Sequence, residues 1–133
     1  MSIRFYDEFL KDTGDMIFVY GSNWRGVHGK GSALLAKQRY GAVYGVPMGR
    51  QGHSYAIPTK DIHIQTLPLE QIELNVDAFK DYVRLNPRLT FYVTPIGTGL
   101  AGYKHSDIAP MFKGSHYGIE RCMFYRAWEP FLT

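Results

Sequence analysis

The 133-residue chain contains a single cysteine, Cys122, and this scarcity excludes two classes of small protein. One thiol cannot form an internal disulfide bond, and it is too few for a zinc cluster. The histidines and carboxylates also lack the spacing that is typical of metal ligands, so we predict no metal and no other cofactor. A chain without disulfide bonds is typical of a reducing compartment, which predicts a cytoplasmic protein.

Long apolar runs are missing as well. No stretch approaches the roughly 20 residues of a membrane-spanning helix, and the first residues lack the apolar segment of a signal peptide. With 45% hydrophobic and 20% charged residues, the composition is typical of one globular domain over residues 1–133. The net charge is only +3, and this balance gives no argument for a nucleic-acid partner.

Glycine-rich segments follow two predicted strands. Residues 16–20 and 89–93 are apolar runs of β-branched and aromatic residues, which predict buried strands. Residues 21–31 and 94–103 come directly after them and contain four and three glycines. Because glycine leaves the backbone bare, such loops can direct successive N–H groups at a phosphate. The alternative is a pair of glycine-rich turns without a ligand.

Neither segment fits a more familiar nucleotide motif. Residues 97–102 satisfy G-x-G-x-x-G, but no long helix follows and too little chain remains for a Rossmann half. The residue five positions before Gly29 is Trp24, and Gly31 replaces the Ser or Thr required after Lys30, which excludes a Walker A motif. We therefore predict phosphate-binding loops outside both classes.

Helix and strand signals alternate along the chain, which predicts an α/β fold with helices on both faces of the sheet. Residues 32–40 predict a helix closed by Gly41, and Pro68 is predicted to lie in the first turn of the longest helix. Its buried stripe is predicted to comprise Leu69, Ile72, Val76, Phe79 and Val83. The other predicted elements are strands over 43–46, 53–57 and 122–125, a loop over 47–52, a short helix over 106–113, and a short terminal helix or tail over 127–132.

Two motifs together resemble those of the macrodomain family. Residues 19–34 resemble the family's strand, asparagine-bearing loop and glycine-rich entry to the first main helix. Residues 96–104 resemble its Ser-Thr-Gly-x-x-Gly-Tyr-Pro phosphate loop, with Gly97 for the serine and Lys104 for the proline. The resemblance covers roughly residues 15–113 and implies a three-layer α/β/α sandwich with a mixed central sheet.

Within macrodomains, the chain is most similar to the branch that includes terminal ADP-ribose protein glycohydrolases and small bacterial and phage relatives. Residues 31–41, which end in Arg39-Tyr40-Gly41, are similar to that branch's helix, and residues 57–60 to the segment that carries its catalytic lysine. The resemblance thus implies Lys60 as the candidate catalytic residue. In that branch an aspartate of the second phosphate loop assists the lysine, and Ala101 stands at its position here.

The ligand implied by the resemblance is ADP-ribose or a related NAD-derived nucleotide. Asn23 would bond the distal ribose or, alternatively, stabilise an Asx turn; Tyr103 would pack on a ribose or on its own loop. Lys60 would act as a nucleophile or remain a solvated charge. The ligand-binding residues implied in this way are Asn23, Gly29, Lys30, Gly31, Gly97, Thr98, Gly99, Leu100, Ala101, Gly102 and Tyr103.

Three functions remain open from the sequence. The first is a protein that binds ADP-ribose-type nucleotides, free or attached to a macromolecule. The second is an ADP-ribosyl hydrolase that uses Lys60 to remove ADP-ribose from protein or nucleic acid. The third is a module that binds RNA or another nucleic-acid end, for which we expect a one-sided basic stripe with aromatics that the sequence does not predict.

Overall fold

The computed structural model describes residues 2–10 and 12–133; Met1 and Lys11, which the predicted domain includes, lie outside the described residues. The strands are β1 (Arg4–Tyr6), β2 (Ile17–Asn23), β3 (Gly49–Gln51), β4 (Ser54–Lys60), β5 (Phe91–Val93) and β6 (Cys122–Tyr125). The α-helices are α1 (Gly31–Arg39), α2 (Leu69–Leu85), α3 (His105–Ile108) and α4 (Glu129–Leu132). Short 3-10 turns cover Ala109–Phe112, Ile119–Arg121 and Arg126–Trp128.

The six strands form one mixed sheet in the order β1-β6-β5-β2-β4-β3. Every neighbouring pair is parallel except β3 and β4, which are antiparallel. The predicted α/β class is confirmed at this level. Because β2, β4 and β5 run in the same direction side by side, their carboxyl ends meet at one edge of the sheet, and the loops that follow them lie together.

Side chains of β2 alternate between two hydrophobic clusters. Ile17 and Val19 pack in a cluster with α2, whereas Phe18 and Tyr20 pack in another with α1. Since successive strand residues point to opposite faces, α1 and α2 cover opposite faces of the sheet. The α2 side chains that are fully buried include Ile72, Val76, Phe79 and Val83 of the predicted stripe, while Leu69 is half-buried.

The strand predicted over 43–46 is wrong, and β3 lies instead within the predicted loop over 47–52. The side chain of Gln51 explains why the first segment needs no strand partner. Its Oε1 accepts the Val43 N–H at 2.7 Å, and its Nε2 donates to the Val46 carbonyl at 3.1 Å. One buried amide thus replaces the ladder hydrogen bonds that a β-rich segment would otherwise seek.

The strand predicted over 53–57 continues through Pro58 to the end of β4. Proline cannot donate to a ladder, and we expected it to end the strand. However, β3 begins at Gly49 opposite Ala56 and does not reach Pro58, which therefore pairs only with β2. The Pro58 carbonyl accepts a hydrogen bond from Asn75 Nδ2 of α2 at 3.0 Å. The extension matters because it carries Lys60 to the edge where the glycine-rich loops lie.

Candidate functional site

A cleft of about 530 Å³ opens at the carboxyl ends of β2, β4 and β5 and at the N-terminus of α1. This volume lies within the range of about 300–1,000 Å³ that is usual for small-molecule sites. Ten of the predicted site residues line it: Asn23, Gly29, Lys30, Gly31, Lys60, Gly97, Thr98, Gly99, Leu100 and Ala101. Gly102 and Tyr103 are not among its lining residues.

The side-chain amide of Asn23 is committed to its own loop. Its Nδ2 donates to the Val27 carbonyl at 3.0 Å, and its Oδ1 accepts the Val27 N–H at 3.2 Å. The Gly26 N–H also donates to the Asn23 carbonyl at 2.9 Å. These contacts correspond to the structural alternative for Asn23, because they close the turn after β2 and fix the path of the chain towards α1.

The N-terminus of α1 presents bare backbone to the cleft. Lys30 is the N-cap residue, and neither a side-chain cap nor an acidic residue occupies the first turn. The N–H groups of Gly31, Ser32 and Ala33 have no hydrogen-bond partner among residues 2–10 and 12–133. Unpaired N–H groups and the positive end of the helix dipole favour an anion here.

The second glycine-rich loop is anchored at both ends. Thr94 Oγ1 donates to the Val19 carbonyl of β2 at 2.7 Å. At the other end, the Tyr103 hydroxyl donates to the Leu67 carbonyl at 2.7 Å, and the Tyr103 N–H donates to the Gly97 carbonyl at 2.9 Å. Tyr103 therefore ties the second loop to the segment that precedes α2.

Between these anchors, four backbone N–H groups are unpaired within the described part of the chain. They belong to Gly97, Gly99, Leu100 and Ala101, all of which line the cleft. In a strand or a helix, the backbone N–H groups are already bonded to carbonyl groups of the chain. These four N–H groups are not, so they can donate to a ligand. It forms the second backbone site in which an anion can be bound.

Two lysines and no carboxylate are among the residues that line the cleft. The Lys60 ammonium makes no hydrogen bond or ion pair with any described residue. The neighbouring Asp61 turns its carboxylate to the N–H groups of His63 and Gln65, at 2.8 and 2.9 Å. With Ala101 at the expected aspartate position, the cleft attracts anions but holds no carboxylate base of its own.

Ile64, which the sequence did not indicate as a site residue, lines the cleft from the turn after β4. Its φ of 63° lies in the left-handed region, which a β-branched residue rarely adopts and which costs about 1–3 kcal/mol. The hydrogen bonds of Asp61 hold this turn, and Thr66 Oγ1 donates to the Ala101 carbonyl at 2.9 Å. The sequence did not predict this conformation, because position 64 holds isoleucine and not the glycine or asparagine that commonly adopts it.

Phe9 was missed as well, because the N-terminal residues carry no periodic pattern. It lines the cleft and is 58% exposed. Its ring stacks on Tyr125 of β6 at 4.9 Å between centroids. The exposed face of this ring adds an apolar wall to a cleft whose floor is mainly backbone.

His28 lies in the first glycine-rich loop, and its side chain is buried against β2. It is 5% exposed, and its Nε2 lies 3.2 Å from the Tyr20 hydroxyl, whereas Nδ1 has no partner within the described residues. Burial, with a further contribution from Lys37, lowers the pKa of His28. Burial also raises the pKa of Tyr20 to about 12. The pair is therefore neutral near pH 7, and His28 does not line the cleft.

The chain matches no protein-family model, no curated protein and no solved structure. Over the described residues, no helix has the length and apolar character needed to cross a membrane. Nor does that part of the chain bring three or more His, Cys, Asp or Glu side chains together as a metal site.

Gly97 and Gly99, two of the three glycines of the second loop, should respond differently to an added methyl group. At Gly97, φ is +74° and a Cβ would lie 3.1 Å from Ile108 Cδ1, whereas Gly99 has open space around its Cβ position. We expect Gly97→Ala to lower the free energy of unfolding by about 1–3 kcal/mol and Gly99→Ala to leave it nearly unchanged. Urea titration of both variants measures this, and equal effects would contradict the left-handed backbone and close packing at Gly97.

Protonation of His28 should destabilise the fold. Because its folded pKa lies below the ordinary value of about 6.5, the native state binds fewer protons than the unfolded chain. Its contribution is therefore complete above about pH 6.5 and is lost as the pH falls towards the folded pKa. We expect His28→Gln to lose less unfolding free energy than wild type between about pH 7.5 and 5.5. The control variant His63→Gln changes an exposed histidine and should behave like wild type. The measurement is the free energy of unfolding of the three proteins as a function of pH, and three parallel curves would contradict the role of His28.

Proposed function

We propose that the cleft binds ADP-ribose or a related NAD-derived nucleotide, as the resemblance to macrodomains implies. The observation that carries this proposal is the pair of unpaired N–H clusters that line one cleft, at the start of α1 and in the loop after β5. Backbone N–H groups are good phosphate donors because they are directional and fixed in place before the ligand arrives.

The position of the two clusters favours a diphosphate over two separate anions. They follow β2 and β5, which are adjacent parallel strands in the sheet. Both clusters lie beyond the same end of these strands and line one cleft, so a single ligand with two phosphates can contact both. Lys30 and Lys60 add positive charge, and none of the lining residues is acidic, so an anionic ligand meets no opposing charge.

The proposal includes the fold type, a three-layer sandwich like that of macrodomains. A three-layer α/β/α sandwich of the macrodomain type is supported by the two hydrophobic clusters, one with α1 and the other with α2. The mixed sheet and the position of the cleft at its carboxyl edge agree with the arrangement that the resemblance implies.

The residues of the cleft favour a protein that binds ADP-ribose over one that rapidly hydrolyses its linkage to a macromolecule. A hydrolase that uses Lys60 needs a partner to move protons, and proton transfer by a placed side chain is worth about 10²–10⁴-fold in rate. Ala101 supplies no such group, and the carboxylate of Asp61 is bonded to two backbone N–H groups. Lys60 is instead well placed to neutralise a ligand phosphate or to contact a ribose hydroxyl.

ADP-ribose should bind with a dissociation constant in the micromolar range, about −8 kcal/mol. AMP, which lacks the second phosphate, should bind at least about tenfold more weakly, a difference of about 1.4 kcal/mol. Isothermal titration calorimetry measures both. Gly99→Glu should abolish binding while the melting temperature is kept, because its Cβ meets nothing within 4 Å but the carboxylate repels phosphate. Unchanged binding by this variant, or no heat with wild type, would refute the site.

Lys60→Ala separates binding from hydrolysis. Incubation with protein that carries glutamate-linked ADP-ribose should release little free ADP-ribose from wild type. The variant should bind ADP-ribose several-fold more weakly, since one cation of the cleft is lost. Rapid release by wild type that disappears in Lys60→Ala would establish the hydrolase instead. Lys113→Ala makes the same change at an exposed lysine outside the cleft and is the control for a general effect of losing a lysine.

A further inference from the structure

The positive charge of this protein is concentrated in one part of the chain. Residues 16–60 contain six of the 15 Lys and Arg residues and none of the 12 Asp and Glu residues. This segment therefore carries a charge of +6, and the rest of the chain carries −3. The whole-chain value of +3 conceals this separation.

Several of these cations are unpaired on the surface. The ion pairs found among residues 2–10 and 12–133 are Arg84–Asp81, Arg126–Asp7 and Arg126–Glu129, and none involves residues 16–60. Arg25, Lys30 and Lys37 are exposed. Since no carboxylate of their own segment neutralises them, their field is directed at solvent.

Exposed aromatic rings lie among these cations. Trp24 is 40% exposed and Tyr44 is 65% exposed. Their loops are joined by a hydrogen bond of 2.8 Å from the Gly45 N–H to the Gly26 carbonyl. The Lys37 ammonium lies 5.2 Å from the centroid of the Tyr44 ring. We call Trp24, Arg25, Lys30, Lys37 and Tyr44 the basic rim.

The basic rim shares Lys30 with the cleft and extends beyond it. Lys30 lines the cleft, and Trp24 follows the lining residue Asn23 while its N–H donates to the Lys60 carbonyl at 2.9 Å. Trp24, Arg25, Lys37 and Tyr44 are not lining residues. A ligand held in the cleft leaves them free, so the rim is available to a second, extended partner.

We propose that the basic rim binds single-stranded nucleic acid. Phosphates of the strand contact Arg25, Lys30 and Lys37, while bases stack on the open faces of Trp24 and Tyr44. Alternation of cations with exposed rings is the arrangement that binds single strands without regard to sequence. An acidic peptide would use the cations but would leave the two rings without a partner, which is why the strand is favoured.

The test uses a fluorescein-labelled oligothymidylate of about twelve nucleotides, read by fluorescence anisotropy. With three phosphate contacts and a slope of about −0.7 per contact, affinity should fall about 20-fold from about 50 to 200 mM salt. Trp24 should be quenched on binding, because the other tryptophan, Trp128, is fully buried and reports little. An affinity that is independent of salt, or the absence of binding at about 50 mM salt, would overturn the proposal.

Matched charge reversals locate the contact. Arg25→Glu with Lys37→Glu should weaken binding about tenfold or more. Arg88→Glu with Lys113→Glu makes the same change in net charge at exposed residues outside the segment, and it should bind nearly as wild type. Equal losses in the two variants would show a general charge effect and overturn the rim. Trp24→Ala tests stacking and should weaken binding about tenfold; an unchanged affinity would contradict the stacked arrangement.

Two further arms separate this proposal from its alternatives. Polyglutamate of similar length should compete poorly; competition equal to that of the oligonucleotide would assign the rim to acidic peptides instead. Gly99→Glu should keep oligonucleotide binding even though it blocks the cleft. Loss of oligonucleotide binding in that folded variant would place the strand in the cleft and refute the rim. The rim proposal therefore stands or fails independently of ADP-ribose binding.

Discussion

The parallel pairing of β2 with both β4 and β5 is the constraint on which the cleft depends. Val19 lies opposite Val93 on one side, and Asn23 lies opposite Lys60 on the other. Tyr20 and Val19 are fully buried on opposite faces, so a slip of one residue would exchange the contents of the two hydrophobic clusters. That cost fixes the register, and the register fixes where both glycine-rich loops begin.

Bare backbone can remain organised only if other groups hold it, and each loop has such groups. The amide of Asn23 closes the first loop onto Val27, and Thr94 and Tyr103 tie the two ends of the second loop to Val19 and Leu67. Fixing the loops in advance reduces the ordering cost that a ligand would otherwise meet. These polar side chains thus hold the loops in place, while the residues with unpaired N–H groups line the cleft.

The sequence predicted the elements whose signal is local. The last strand over residues 122–125 and the apolar stripe of α2 are confirmed. An element that buries one side repeats its apolar residues at a regular spacing, and this spacing can be read from the element's own sequence. Features that depend on distant partners were missed. β3 exists because it pairs with β4, and the left-handed Ile64 is held by Asp61 and by the contact of Thr66 with the second loop. The residue types of β3 and of position 64 do not by themselves indicate either feature.

The candidate site shows the same division between local and distant information. Glycine spacing predicted which backbone lines the cleft, since the absence of side chains is itself a local property. The charge of the cleft and its surroundings was not visible in the net value of +3, because +6 in residues 16–60 is offset by −3 elsewhere in the chain. Coulomb energies depend on local separation and are screened within about 10 Å, so distant carboxylates cannot cancel these cations. For a ligand that carries phosphate, the distribution of charge over the fold therefore decides affinity more than the sum.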